Sequence, residues 1–160
     1  METPRLAVLL ALFTGILMLI PEKACGQGEM GRIRPVAGAD LHSTYTWDGK
    51  HLRPLAGATL RNTWSFDGKV LRPLSGADVD ATYTWDGTAL RPLSGATLHN
   101  TYAWDGRQLR PQAGARLSNT WSFDGQKWRP LSGAKLENTW SVEGFVPVPV
   151  CALVILGLVR

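Results

Sequence analysis

The residues of this chain that could do chemistry recur at a single interval. Arginine precedes proline at Arg34, Arg53, Arg72, Arg91, Arg110 and Arg129, 19 residues apart each time. An acid precedes glycine in the same rhythm, at Asp48-Gly49, Asp67-Gly68, Asp86-Gly87, Asp105-Gly106, Asp124-Gly125 and Glu143-Gly144. A row of guanidinium groups could bind an anionic ligand, and a row of carboxylates could hold calcium. Calcium-loaded β-rolls carry dense Asp/Gly runs, which no repeat here has. Turn chemistry accounts for an isolated Asp-Gly by itself. His42, His51 and His99 share no repeated position and no ligand spacing, so they read as surface residues. Ser and Thr recur, but no general base accompanies them at a fixed offset. No catalytic set, metal site or cofactor is therefore expected, and the chain does not read as an enzyme.

The elements that carry these residues form a tandem repeat. Gly-Ala holds the 19-residue interval too, beginning at Gly38, Gly57, Gly76, Gly95, Gly114 and Gly133. Six copies span Ile33 to Val146. Two glycines and a proline per copy leave no uninterrupted stretch for a stable helix. The other residues alternate: Leu60, Trp64 and Phe66 share one parity, Arg61, Thr63 and Ser65 the other, as in a half-buried strand. Asp-Gly between such runs predicts a two-residue type I′ hairpin turn at Gly49, Gly68, Gly87, Gly106, Gly125 and Gly144. That turn pairs Phe66 with Lys69 and Trp64 with Leu71. An odd period demands one further, odd-length loop, and Leu74-Ser75-Gly76 suits a three-residue one with Gly76 at positive φ. Each repeat then reads as a nine-residue strand such as Ala77–Trp85 and a five-residue strand such as Thr88–Pro92.

On that register one face collects four apolar positions per repeat. The first is Leu41, Leu60, Val79, Leu98, Leu117 and Leu136. The second is Tyr45, Trp64, Tyr83, Tyr102, Trp121 and Trp140. The third is Trp47, Phe66, Trp85, Trp104, Phe123 and Val142, and the fourth is Leu52, Leu71, Leu90, Leu109 and Trp128. Large neighbours trade size, Tyr-x-Trp in some copies and Trp-x-Phe in others, as a shared core requires. The six arginines take the opposite face, with Thr63 across from Arg72. They read as a solvated outer face or as an anion-binding stripe.

The expected fold class is all-β: tandem hairpins in a staggered antiparallel sheet, each displaced about four residues from the last, rolled into a barrel-like or superhelical domain. Half-repeats flank the array. Gly31–Pro35 supplies a short strand with no long partner before it. The period also runs through Pro149 into an apolar segment, 150–160. Ten apolar residues, Val150 to Val159, are too few to span a bilayer as a helix. The segment reads as a closing strand or short helix on the aromatic face, or as a membrane or sorting tail. Pro-Val-Pro, the apolar run and terminal Arg160 resemble bacterial C-terminal sorting tails.

Composition bounds the setting. Hydrophobic residues make up 44% of the chain and charged residues 19%, which is not a disordered composition. Residues 1–26 read as a secretory signal: Arg5, an apolar run Leu6–Ile20, the breaker Pro21, and small residues around Cys25 for cleavage before Gln27. An uncleaved anchor or a lipoprotein are the alternatives. The net charge of +4 survives cleavage, because residues 1–26 hold two bases and two acids. The cations are dispersed, so no nucleic-acid footprint is read. Cys151 sits in an apolar run and reads as a buried, inert thiol.

These readings give three parts, the signal at 1–26, the repeat domain at 27–149 and the closing segment or tail at 150–160. The expected role is a non-catalytic exported β-repeat protein, periplasmic or secreted, serving as a structural or interaction module of the cell envelope. Its partner would be an envelope protein or a glycan, with weak membrane association through the C-terminal segment. The alternative is a carbohydrate-binding module. The unit is similar in size and aromatic content to the aromatic-and-glycine hairpin repeats of cell-wall-binding modules, though it lacks their paired Trp and Tyr-Tyr pattern. That resemblance implies aromatic rings exposed for stacking on sugar.

Overall fold

The structure, a computed structural model, describes residues 30–159. The signal read over 1–26 and Cys25 lie outside the described residues. Among those described, twelve strands run β1 Gly31–Pro35, β2 Tyr45–Trp47, β3 His51–Pro54, β4 Trp64–Phe66, β5 Val70–Pro73, β6 Tyr83–Trp85, β7 Ala89–Pro92, β8 Tyr102–Trp104, β9 Gln108–Pro111, β10 Trp121–Phe123, β11 Lys127–Pro130 and β12 Trp140–Gly144. One α-helix follows, α1 Val148–Ile155. Each strand pairs antiparallel with its sequence neighbours, and β12 pairs with β1, so the sheet closes into a barrel. The all-β repeat sheet thus rolls into a barrel, not an open superhelix.

The two ends of the repeat array make the sixth hairpin. Val142 pairs with Ile33, Ser141 with Arg34 and Trp140 with Pro35, the same alignment that sets Trp85 against Leu90, Thr84 against Arg91 and Tyr83 against Pro92. β1 therefore stands where the short strand of repeat six would stand. Closure leaves no unpaired sheet edge among the described residues.

The Asp-Gly turns differ from the expected type. Only glycines take positive φ among the described residues, with Gly87 at 100°, so the preceding Asp is not left-handed and the turn is not type I′. Instead the aspartate side chain organises the turn. Asp67 Oδ1 accepts the backbone N–H groups of Lys69 and Val70 at 2.9 and 2.8 Å, and Asp67 N–H reaches Val70 O at 3.3 Å. An acceptor on the side chain lets a residue other than glycine hold the first position without positive φ. Phe66 consequently pairs with Leu71, Trp64 with Pro73, and Arg72 with Ser65 instead of Thr63. The slip from the expected pairing is two residues, an even number, so the paired strand residues keep their faces.

The nine-residue strand is also corrected. Only its last three residues are strand; 74–82 and its equivalents form loops, the last of which holds a 3-10 turn at Leu136–Asn138. Polar side chains capture this backbone before the sheet can. Asn62 Oδ1 accepts Thr59 N–H at 2.7 Å while its Nδ2 donates to Gly57 O at 3.0 Å. Asn100 repeats both bonds, and Asn119 and Asn138 do the same in their own repeats. The first apolar set is thereby expelled from the core: Leu60 is 63% exposed, and Leu41, Val79, Leu98, Leu117 and Leu136 are exposed with it. Tyr83, not a residue of this set, pairs with Leu71.

The register settles the size of the lumen. Tyr83 pairs with Leu71 and Leu71 with Phe66, so each hairpin steps two residues along its neighbour, not about four. Twelve strands at this stagger, tilted about 35–45°, enclose roughly 20 Å between opposing backbones. Side chains of the wall can fill an eight-stranded barrel but not this one. What remains open across the axis is about 10–12 Å, the diameter of one helix. α1 fills it. Pro149 to Ile155 are all buried, and they join Ile33, Leu52, Leu71, Leu90, Leu109 and Trp128 in one core. A helix enclosed on every side must be apolar all round, and VPVCALVI is.

Prolines and a glycine set its ends. Pro147 and Pro149 lie at the N-terminus, where a missing N–H costs nothing. Gly157 has φ 66°, Gly157 N–H donates to Val154 O and Leu158 N–H to Leu153 O, a Schellman close. Eight residues rise about 12 Å, matching the height of four-residue strands.

Candidate functional site

The six Arg-Pro arginines, read as a possible anion stripe, all lie exposed on the outer wall. The structure brings five of the six toward the turn acid of their own hairpin. Arg91 reaches Asp86 at 2.8 Å, Arg34 reaches Glu143 at 2.7 Å, and Arg129 bonds Asp124. Arg72 and Arg110 act on Asp67 and Asp105 through space, helping to hold those carboxyls below their ordinary range, where the main cause is the backbone N–H of Val70 or Gln108. Arg53 stands opposite Thr46 on the same wall. The arginines are thus spread around a closed wall, and five of them face an acid.

The turn glycines Gly49, Gly68, Gly87, Gly106, Gly125 and Gly144 lie together on one rim with φ between 69° and 100°. A Cβ added at Gly144 would stand 2.3 Å from Met30 O, whereas one added at Gly87 meets nothing within 4 Å.

Aromatic rings line the lumen. Trp47 is 2% exposed, while Trp85 and Trp104 are half-buried and pack on the core. Trp104 and Phe123 both contact Trp128, with centroids 5.3 and 4.7 Å away. Cys151 on α1 is buried, and desolvation pushes its thiol up to about 12, so it is held as a neutral thiol. His42 and His99 are exposed; His51 is half-buried with Nδ1 3.5 Å from Asp48 Oδ2. Among the described residues no group of three or more His, Cys, Asp and Glu could hold a metal ion, and no helix is long and apolar enough to cross a membrane.

Two features escaped the sequence reading. The first is a threonine in every repeat, Thr44, Thr63, Thr82, Thr101, Thr120 and Thr139, all buried. Thr82 Oγ1 donates to Asp78 O at 2.6 Å, and Thr82 O accepts Leu93 N–H at 2.7 Å, so one residue ties its own loop to the next. Its invariance at the 19-residue interval was the available signal.

The second is the rim opposite the Asp-Gly turns. Its loops overlap around the circle. Ala56 N–H donates to Leu41 O, Ser75 to Leu60 O, Ala113 to Leu98 O, Ser132 to Leu117 O, and Ala37 closes the ring on Leu136 O. These carbonyls belong to the expelled aliphatic residues, whose side chains face solvent. Leu55, Leu74, Leu93, Leu131 and Val36 are exposed on the same loops. A surface cavity of about 420 Å³ is lined by both Leu41 and Leu55. Another, of about 550 Å³, lies between the second and third loops, lined by Arg61, Trp64, Asp78, Asp80, Tyr83 and Leu158 among others. Pro147 lines a cavity among the Asp-Gly turns, so with Leu158 here α1 threads the barrel from end to end. Comparison with protein-family models, with curated proteins and with solved structures finds no match.

Proposed function

We propose that this chain is a non-catalytic, exported β-repeat protein that acts as a structural or interaction module of the cell envelope. One observation carries the reading: the lumen, where a small barrel would hold a ligand, is filled by α1, while eleven exposed aliphatic residues ring one rim and only Met30 and Phe145 are comparably exposed at the other, among the described residues. The Trp and Tyr side chains lie in or against the core, and sugar recognition would need them exposed for stacking. Aliphatic rims suit contact with protein.

A second reading, a carbohydrate-binding module, draws on the 550 Å³ cavity, where Trp64 and Tyr83 meet Arg61, Asp78 and Asp80. Quenching of tryptophan fluorescence by acrylamide, with and without cell-wall glycans, separates the two. The module reading expects low quenching that glycan leaves unchanged. Saturable protection by glycan, lost in a Trp64→Ala variant that still folds, would replace it with the carbohydrate reading. N-terminal sequencing of the protein recovered outside the cytoplasm should begin at or within a few residues of Gln27; intact Met1 would refute a cleaved signal.

A further inference from the structure

We propose that the leucine-bearing rim is a self-association surface, on which two copies of this chain meet face to face; this rests on the interaction-module reading and names its partner. Leu41, Leu60, Val79, Leu98, Leu117 and Leu136 are each more than half exposed, and five further aliphatic residues stand on the same loops. Half-exposed side chains in that number amount to an apolar surface on the order of several hundred Å², comparable with the roughly 800 Å² each partner gives to a stable interface. Monomeric proteins seldom leave so continuous an apolar ring in water.

The charges on the ring favour a second copy over a lipid surface. Going round the barrel, the six loops carry Asp40 with His42, then Arg61, then Asp78 and Asp80, then His99, then Arg116, and last Lys135 with Glu137. All four of these acids adjoin exposed aliphatics: Asp40 beside Leu41, Asp78 and Asp80 around Val79, and Glu137 beside Leu136. Burying the aliphatics in an anionic membrane would press those carboxylates against like charge. A facing copy supplies both signs. Two rings related by a two-fold axis run in opposite senses, so setting loop two against loop three also sets one against four and five against six. Arg61 of each copy then meets Asp78 and Asp80 of the other, twice. Asp40 meets His99, and Arg116 meets the Lys135 and Glu137 loop. Of the six possible superpositions, only this one sets a net-positive loop against the Asp78 and Asp80 loop without bringing two loops of like net charge together. Such an interface is isologous and closes as a dimer.

The test is sedimentation of the full chain over a range of concentrations, so that any association through other segments is common to all variants. The wild type is expected as a dimer. Leu60→Ser with Val79→Ser should give monomer with unchanged melting, since neither side chain is in the core. Arg61→Glu and Asp80→Arg should each weaken the dimer by on the order of tenfold or more. Mixed together they should form a heterodimer. The carboxylate introduced at position 61 of one copy then faces the guanidinium introduced at position 80 of the other, while the native pairing persists on the second side. A wild type that stays monomeric, a dimer indifferent to the rim substitutions, or failure of the mixed variants to pair would overturn the proposal. So would rim-dependent binding to phosphatidylglycerol–phosphatidylcholine vesicles by a monomeric protein. Glycan protection of tryptophan reports on the wider reading independently: a monomer whose tryptophans ignore glycan sinks the dimer alone.

Discussion

Arg34 and Glu143 lie 109 residues apart in the chain and join side chains at 2.7 Å. Their contact repeats, across the closing seam, the one that Arg91 and Asp86 make inside a single hairpin at 2.8 Å. The seam is therefore built to the same pattern as every other hairpin in the barrel, with its two strands drawn from opposite ends of the repeat array. Both side chains are about half exposed, so the pair itself contributes little, on the scale of surface ion pairs. What holds the seam is backbone pairing and Ile33, which is fully buried.

Ile33→Ala should accordingly cost about 2–5 kcal/mol, while Arg34→Ala should cost under about 1 kcal/mol. Urea denaturation of the two variants checks this. An Arg34→Ala variant as damaging as Ile33→Ala would mean that the seam is held by charge.

Turn glycines offer a graded comparison. At Gly87 a Cβ meets nothing, so Gly87→Ala isolates the cost of positive φ, about 1–2 kcal/mol. At Gly144 the Cβ would also collide with Met30 O. Gly144→Ala should therefore lower the melting temperature more than Gly87→Ala. Equal losses would show that the N-terminal strand yields freely at this point.

Cys151 reports on the plug. Buried in the lumen with a neutral thiol, it should resist a maleimide reagent in the native protein and react promptly once urea releases α1. A chain ending at Val146 should bind a hydrophobic dye and melt earlier, because the lumen loses the helix that fills it. Fast native labelling, or a truncated chain of unchanged stability, would contradict a permanently seated helix.

Acid should weaken the barrel through its turns. In Asp67 the backbone N–H groups of Val70 and Lys69 lower the carboxyl from its usual 3.8, and Gln108 and Arg107 do so for Asp105. A carboxyl depressed by folding contributes stability above the unfolded value, and that contribution is lost as pH falls through the folded one. Melting temperature should be level from about pH 5 upward and decline below about pH 4. Asp67→Asn with Asp105→Asn keeps the side-chain acceptors and removes two titrations, so its decline should be shallower. An identical acid profile would show that these turns do not report the titration.

The sequence by itself determined the repeat, the all-β class and the facing of most residues. Asp-Gly, Arg-Pro and Gly-Ala hold the same interval, and alternation is a local property of the chain. Strand faces do not depend on the turn type here, because the observed register differs from that of a type I′ turn by two residues, which leaves parity intact. Only the tertiary structure decided which repeat partner each strand takes, and hence the stagger, the closure and the lumen. Those depend on where backbone pairing stops. Here Asn62, Thr63 and their equivalents stop it early by bonding nearby backbone, and they carry Leu60 and its equivalents out of the core. The role of 150–160 was undecided for the same reason. An apolar run of that length suits a strand, a helix or a tail equally, until a twelve-stranded wall leaves a space that its own side chains cannot fill.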